Sequence, residues 1–246
     1  MRLKKQEVRQ MQRRTNEEWN ELLKRAAEGD RRATEEIVEG IRDWVFNQSL
    51  RMLGTFSDAE DATQEILLKV LEGLPSFRGE SAFTTWVFSI ASNHLRRCRK
   101  HMFARAPLSF EFYGSDIVRK LPGDLPDLTG GVDRHLLAEE LKMSCTNVML
   151  QCLDADSRCV FVLGAMFHLD SRIAGEILGM TPEAYSQQLS RTRKRMASFL
   201  EEYCGAYGQG RCQCEKRVDY AIQSRRLNPE RLDYARAIEV KNAMEE

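Results

Sequence analysis

The chain has 246 residues and a mass of 28.4 kDa, enough for one large or two small domains with ordinary cores. With 42% hydrophobic and 30% charged residues but only 15 Gly and 6 Pro, the composition excludes collagen-like and low-complexity classes and suits a helix-rich globular protein. No window approaches the roughly 20 apolar residues that a bilayer span requires, and the opening MRLKKQEVRQMQRR lacks a signal peptide's apolar core, so no membrane insertion and a cytoplasmic location are expected. The seven cysteines are an odd number without a secretory signal, which favours reduced thiols over a disulfide framework.

Net charge is zero, yet its distribution is blocked. Residues 1–14 carry six bases and one acid, 15–80 eight bases and 15 acids, 81–120 seven bases and two acids, and 121–190 four bases and ten acids. Such segregation gives local potentials that attract polyanions, while the acidic blocks can meet a basic protein.

Strand signals are nearly absent, and the chain reads as all-α in two helical domains joined by a flexible linker, with a short helical tail. After a basic arm at 1–14, a first domain is expected over 15–102. Thr15 or Asn16 caps its first helix ahead of Glu17 and Glu18, and Gly29-Asp30 interrupts it. A second helix places Ile37, Ile41, Val45 and Met52 on one face and ends near Gly54. The third is predicted to open at Ser57, with Glu60 completing a capping box, and runs to Pro75 with Ala62, Ile66, Val70 and Leu74 along one stripe. In the fourth, a Ser81 cap precedes Phe83, Trp86, Val87, Ile90, Ala91, His94 and Leu95 at three- and four-residue steps. Residues 103–133 hold Pro107, Pro122, Pro126 and Gly130-Gly131 with no sustained period and read as the linker. Helices return over 134–203, the last started by Thr181-Pro182, and a Cys- and Arg-containing extension occupies 204–246.

Asp58, Asp61, Glu65 and Glu72 align on the third helix opposite its apolar stripe. Such a ridge is either a solvated face or a docking surface for a basic partner. The fourth helix follows closely, carrying Asn93 and ending in Arg96, Arg97, Arg99 and Lys100. Trp86 belongs with its core stripe, and His94 reads as a packed or capping residue.

The stretch DAEDATQEILLKVLEGLPSFRGESAFTTWVFSIASNHLRRCRK resembles region 2 of bacterial extracytoplasmic-function (ECF) sigma factors, with an acidic D-x-x-Q-E helix, an F-R-G-x-S-x-F-x-T-W turn, an I-A-x-N step and a basic end. The resemblance implies that Asp58, Asp61, Gln64 and Glu65 bind the clamp helices of the largest subunit of core RNA polymerase. It also implies that Asn93 contacts an extruded base of the −10 promoter element, with Arg96, Arg97, Arg99 and Lys100 on phosphates. Extruding a base costs a few kcal/mol, which a pocket bonding its edge can offset, while the cations hold the backbone without reading sequence.

In DSRIAGEILGMTPEAYSQQLSRTRKRM, a short amphipathic helix, Gly179 and the Thr181-Pro182 start have helix-turn-helix grammar, which an αα-hairpin could share. Glu183, Ser186, Gln187, Ser190, Arg191 and Lys194 lie off the apolar face, where they can reach base edges and phosphates. The segment is similar to sigma region 4, which implies reading of the −35 element and contact with the flap of the second-largest subunit. The family's commoner G-T-V-K-S-R is E-A-Y-S-Q-Q here, so base preference does not carry over.

Cys204, Cys212 and Cys214 tempt a zinc reading, but three thiolates are one short of a closed structural site, and a redox or packing role fits them better. No catalytic motif is present, so neither an enzyme nor a cofactor is expected. The expectation is therefore a sigma subunit that brings core polymerase to promoters and opens the strands, with an anti-sigma factor as a possible partner. The rivals are a helix-turn-helix regulator that binds duplex DNA without polymerase, and a protein-interaction module.

Overall fold

Thr15 opens the first helix through a reciprocal capping box with Glu18, the Glu18 amide donating to the threonine hydroxyl and the Thr15 amide to the carboxylate. The structure, a computed structural model, describes residues 14–98, 108–119 and 125–234. Its helices are α1 (Asn16–Ala27), α2 (Arg31–Leu53), α3 (Phe56–Gly73), α4 (Phe83–Arg97), α5 (Phe110–Arg119), α6 (Arg134–Gln151), α7 (Ala155–Phe161), α8 (Ser171–Leu178), α9 (Pro182–Tyr203) and α10 (Val218–Gln223). The fold is all-α: among the described residues the only β pairing is an isolated bridge between Cys204 and Cys212. No described helix is long and apolar enough to cross a membrane.

The chain divides into two compact units, Met1–Arg105 with Asp154–Arg193, and Ala106–Leu153 with Lys194–Glu246. The stretch 134–203, expected as one functional region, is therefore shared between the two.

In the first unit α1–α4 close on an apolar seam. Ile37, Ile41, Val45, Ile66, Val70, Val87 and Ala91 are fully buried there, matching the stripes read from the sequence. Asp30 caps α2 by accepting from the amides of Arg32 and Ala33, and Gly54 ends it at φ 88°, a left-handed conformation that glycine adopts without penalty. Two expected caps are corrected. The N-cap of α3 is Thr55, not Ser57 with Glu60: Phe56, already helical, packs against Phe46 at 6.0 Å, so the helix begins ahead of the serine. At α4 the N-cap is Ala82 without a side-chain bond, the Ser81 hydroxyl turning to the Ala82 carbonyl instead.

The same unit takes in α7, a π-helical turn at Val162–Met166, α8 and the first half of α9. Helices α7 and α8 both pack on α4. Phe88 meets Phe167 edge-on at 5.4 Å and stacks on Trp44 at 4.3 Å, and the buried Arg158 guanidinium donates to the Met52 carbonyl at 2.6 Å.

The second unit holds α5, α6, the C-terminal part of α9, a 3-10 turn at Glu215–Arg217 and α10. Leu137 and Ala138 of α6 form a cluster with Val218, Ala221 and Leu227. Helix α5 lies within the segment read as linker. Its Phe110 and Tyr113 pack on Phe199 at 5.2 and 5.4 Å, and a Cβ on Gly114 would come within 2.5 Å of the Tyr203 ring. The face exists because residues far along the chain cover it, which a local search for periodicity does not see.

Candidate functional site

On α3 the apolar stripe of Ala59, Ala62, Ile66 and Val70 is buried, which turns Asp61, Gln64, Glu65 and Glu72 to solvent. Asp58 differs from them. It is half-buried and accepts a 2.7 Å hydrogen bond from the Thr55 hydroxyl, so it belongs in part to the helix cap. Glu65 lies 3.6 Å from Nε2 of His94 on α4. Burial, with help from Lys69, depresses the His94 pKa against the pull of Glu65, which keeps the imidazole neutral near pH 7. Sequence reasoning missed Leu68, 58% exposed at seven residues from Asp61, four from Gln64 and three from Glu65. A leucine off the buried stripe and among carboxylates was the available signal, since an apolar centre ringed by polar groups is the anatomy of a protein-binding patch.

Asn93, Arg96 and Arg97 share the exposed side of α4, opposite Val87, Ala91 and Leu95. Arg97 is exposed on this polar face, whereas Arg96 bonds Asp156 of α7 at 2.7 Å. Arg99 and Lys100, expected to continue the row, lie outside the described residues. Trp86 packs with Phe77 and Phe83 at 5.1 and 5.9 Å, and a Cβ on Gly73 would stand 2.9 Å from its ring, so it serves the packing as expected.

The α8–α9 pair is a tight helix-turn-helix. Asp170 caps α8, the Met180 amide donates to the Gly175 carbonyl at 2.9 Å, and Gly179 takes φ 67°. A Cβ on Gly175 would lie 2.7 Å from the Met180 carbonyl oxygen, so the turn requires glycine there too. Thr181 caps α9 by accepting from the Ala184 amide at 3.2 Å. Inward, the Tyr185 hydroxyl donates to the Val160 carbonyl at 2.9 Å, and that hydroxyl and Leu189 occupy space that any Cβ on Gly164 would fill. Arg193 donates to the Gly164 carbonyl at 3.2 Å. Outward, all six sequence candidates, Glu183, Ser186, Gln187, Ser190, Arg191 and Lys194, are exposed.

Cys204 and Cys212 face each other across the isolated bridge, with the Gly205 amide donating to the Cys212 carbonyl at 2.9 Å. A fourth thiol is Cys145 of α6. Burial chiefly pushes its pKa up to about 12, and the Tyr113 hydroxyl donates to its sulfur at 3.0 Å. All seven cysteines are free, and no group of three or more His, Cys, Asp or Glu among the described residues is arranged to hold a metal ion.

Residues 37–103 match the family model for Sigma-70 region 2, which spans α2–α4 and both the acidic ridge and the Asn93 face. The RNA polymerase sigma factor NccH of Alcaligenes xylosoxydans xylosoxydans is 27% identical over 182 residues, covering 73% of this chain and 93% of that protein. The match to Sigma-70 region 2 and the sigma-factor relatives together support an ECF sigma factor. The ECF RNA polymerase sigma factor ShbA of Streptomyces griseus is 26% identical over 74% of this chain and 94% of its own length. In the solved structure of CnrH in complex with the cytosolic domain of CnrY, the CnrH-type fold matches with a TM-score of 0.52 at 22% identity, covering 73% of this chain and 94% of that one. These matches support the function of an RNA polymerase sigma factor, and the rival of a lone helix-turn-helix regulator is not favoured. The relatives are transcription initiation factors.

Proposed function

We propose that the face formed by Asp61, Gln64, Glu65 and Leu68 docks this sigma factor on the clamp helices of the polymerase largest subunit, with Asp58 contributing from the helix cap. The observation that carries the reading is the placement of an exposed leucine among aligned carboxylates on a helix whose other face is fully buried. Carboxylates steer and orient a basic partner, while the apolar contact supplies residence time.

The exposed row Asn93, Arg96 and Arg97, continued by Arg99 and Lys100, engages the −10 element, Asn93 holding an extruded base and the cations the backbone. Gln187 and Arg191, with Glu183, Ser186, Ser190 and Lys194, form the surface for the −35 element, and the same region meets the polymerase flap. Residues 15–102 and 134–203 are thus the functional counterparts of regions 2 and 4. The protein works in the cytoplasm without catalytic chemistry of its own. An anti-sigma protein is a fitting further partner, since the solved complex of CnrH holds the cytosolic domain of CnrY.

The test is binding to core polymerase with runoff transcription. Asp61→Arg is expected to weaken core binding at least tenfold and Leu68→Ala about tenfold, corresponding to ~1.4 kcal/mol. Unchanged affinity in both variants overturns the docking face. Asn93→Ala is expected to relax preference at one −10 base, whereas Arg97→Ala lowers affinity for all promoters alike and flattens the salt dependence.

A further inference from the structure

We infer that the C-terminal extension is a clasp on the chain's own linker, holding it folded and so limiting how far the −10 and −35 reading surfaces can separate. The inference rests on the sigma reading above and assigns the extension its task.

Two polar ties and one apolar seam join the extension to the linker and α6. At the first tie, the Asp116 side chain on α5 is only 9% exposed, and Tyr220 donates its hydroxyl to it at 3.2 Å. The Arg226 guanidinium bonds the same carboxylate, and Arg217, itself 7% exposed, stands 3.8 Å away. Arg217 also donates to the Ile117 carbonyl at 2.8 Å, so one buried cation holds both a side chain and the backbone of α5. At the second, Asp219 accepts from the Leu128 amide at 2.9 Å and from Arg134 at 2.7 Å, and Arg134 reaches on to Asp127 at 3.0 Å. The seam is Val218, Ala221 and Leu227 against Leu137 and Ala138, with Val132 packed alongside. The carboxylates come from the linker at one tie and from the extension at the other, which fixes the pairing in register.

Promoter geometry gives these ties a consequence. Elements centred near −10 and −35 lie about 25 base pairs apart, or ~85 Å along duplex DNA at ~3.4 Å per pair. In the structure α8 packs directly on α4, so both reading surfaces belong to one compact unit and must part to reach both elements. Residues 103–133 connect them, and extended chain gains at most ~3.6 Å per residue against ~1.5 Å in a helix. Keeping the ten residues of α5 helical therefore withholds roughly 20 Å of reach. Anchoring Asp116 and Leu128 to one short stretch of the extension withholds more.

The full-length protein tests this directly. Arg226→Glu places a second carboxylate beside Asp116, Asp219→Ala removes the other tie, and Arg226→Lys keeps the charge as a control. Tryptic cleavage between residues 110 and 134 in the free protein is expected to accelerate at least fivefold in the first two variants and to stay near wild type in the third. In runoff transcription with core polymerase on promoters of stepped spacer length, Arg226→Glu and Asp219→Ala are expected to raise output from the longer spacers severalfold relative to the shortest. Unchanged cleavage in both variants overturns the clasp, whatever the protein does with polymerase. Faster cleavage with unchanged spacer dependence overturns the limit on reach. A wild-type chain that yields no promoter-specific transcripts overturns the sigma reading instead, and with it the reach argument, while the cleavage result still decides whether the extension holds the linker.

Discussion

The four-helix module of α1–α4 is closed by side chains such as Ile41, Ile66 and Val87, all fully buried, on helices that follow one another in the chain. The linker and extension add to their apolar seam a set of carboxylate and guanidinium contacts between residues 85 or more positions apart. Apolar packing is non-directional and tolerates small shifts, whereas a buried ion pair holds only in one geometry and loses far more when a single member is removed. The module that carries the Sigma-70 region 2 match is thus closed chiefly by apolar packing, whereas the extension depends in addition on a few polar atoms.

The largest expected effect sharpens the first half of that contrast. Phe88→Ala empties a site that is 1% exposed and touches Trp44 and Phe167, and should cost about 3–5 kcal/mol of stability in chemical denaturation. Next, Asp116→Ala should cost about 3 kcal/mol by leaving Arg217 buried beside an apolar gap, and its signature should be confined to exchange protection of α5 and α10. If α1–α4 lose protection equally, the two closures are not independent. Acid titration separates them more gently. The depressed His94 contributes stability that is present above about pH 6.5 and is lost as pH falls through its lower folded value. Asp219, held low chiefly by its hydrogen bond from Arg134, keeps its contribution until pH falls below about 3.8 and through its folded value. On acidification α4 should therefore loosen before the Asp219 tie, as read by residue-resolved exchange. Smallest is Asp156→Ala, which removes a partly exposed ion pair to Arg96 and should change stability by less than about 1 kcal/mol, with the difference fading in high salt.

Local signals carried most of the first four helices. Thr15, Asp30 and Gly54 each act within a turn of their own helix, and the three- and four-residue stripes need only neighbouring helices to bury them. The exposed candidates Asp61, Gln64, Glu65, Asn93 and Gln187 were legible for the same reason: once a stripe faces inward, the opposite face is fixed by helical geometry. Leu68 escaped because the search for a docking face followed charge alone, although the leucine's phase also put it outside. Helix α5, Cys145 and the Asp116 contacts were illegible because each depends on residues brought from the far end of the chain. Proline and glycine around them gave the local pattern of a loop, and long-range partners overrode it.

The anchoring of α9 sorts its residues into two groups that never compete. Tyr185, Leu189 and Arg193 fasten the helix from within, through a hydroxyl on the Val160 carbonyl, close approach to Gly164 and a guanidinium on the Gly164 carbonyl. Glu183, Ser186, Gln187 and Ser190 take no part in that fastening. Mutation can therefore rewrite the outward face without touching the fold that presents it, so whatever that face contacts can change by drift while the helix stays in place.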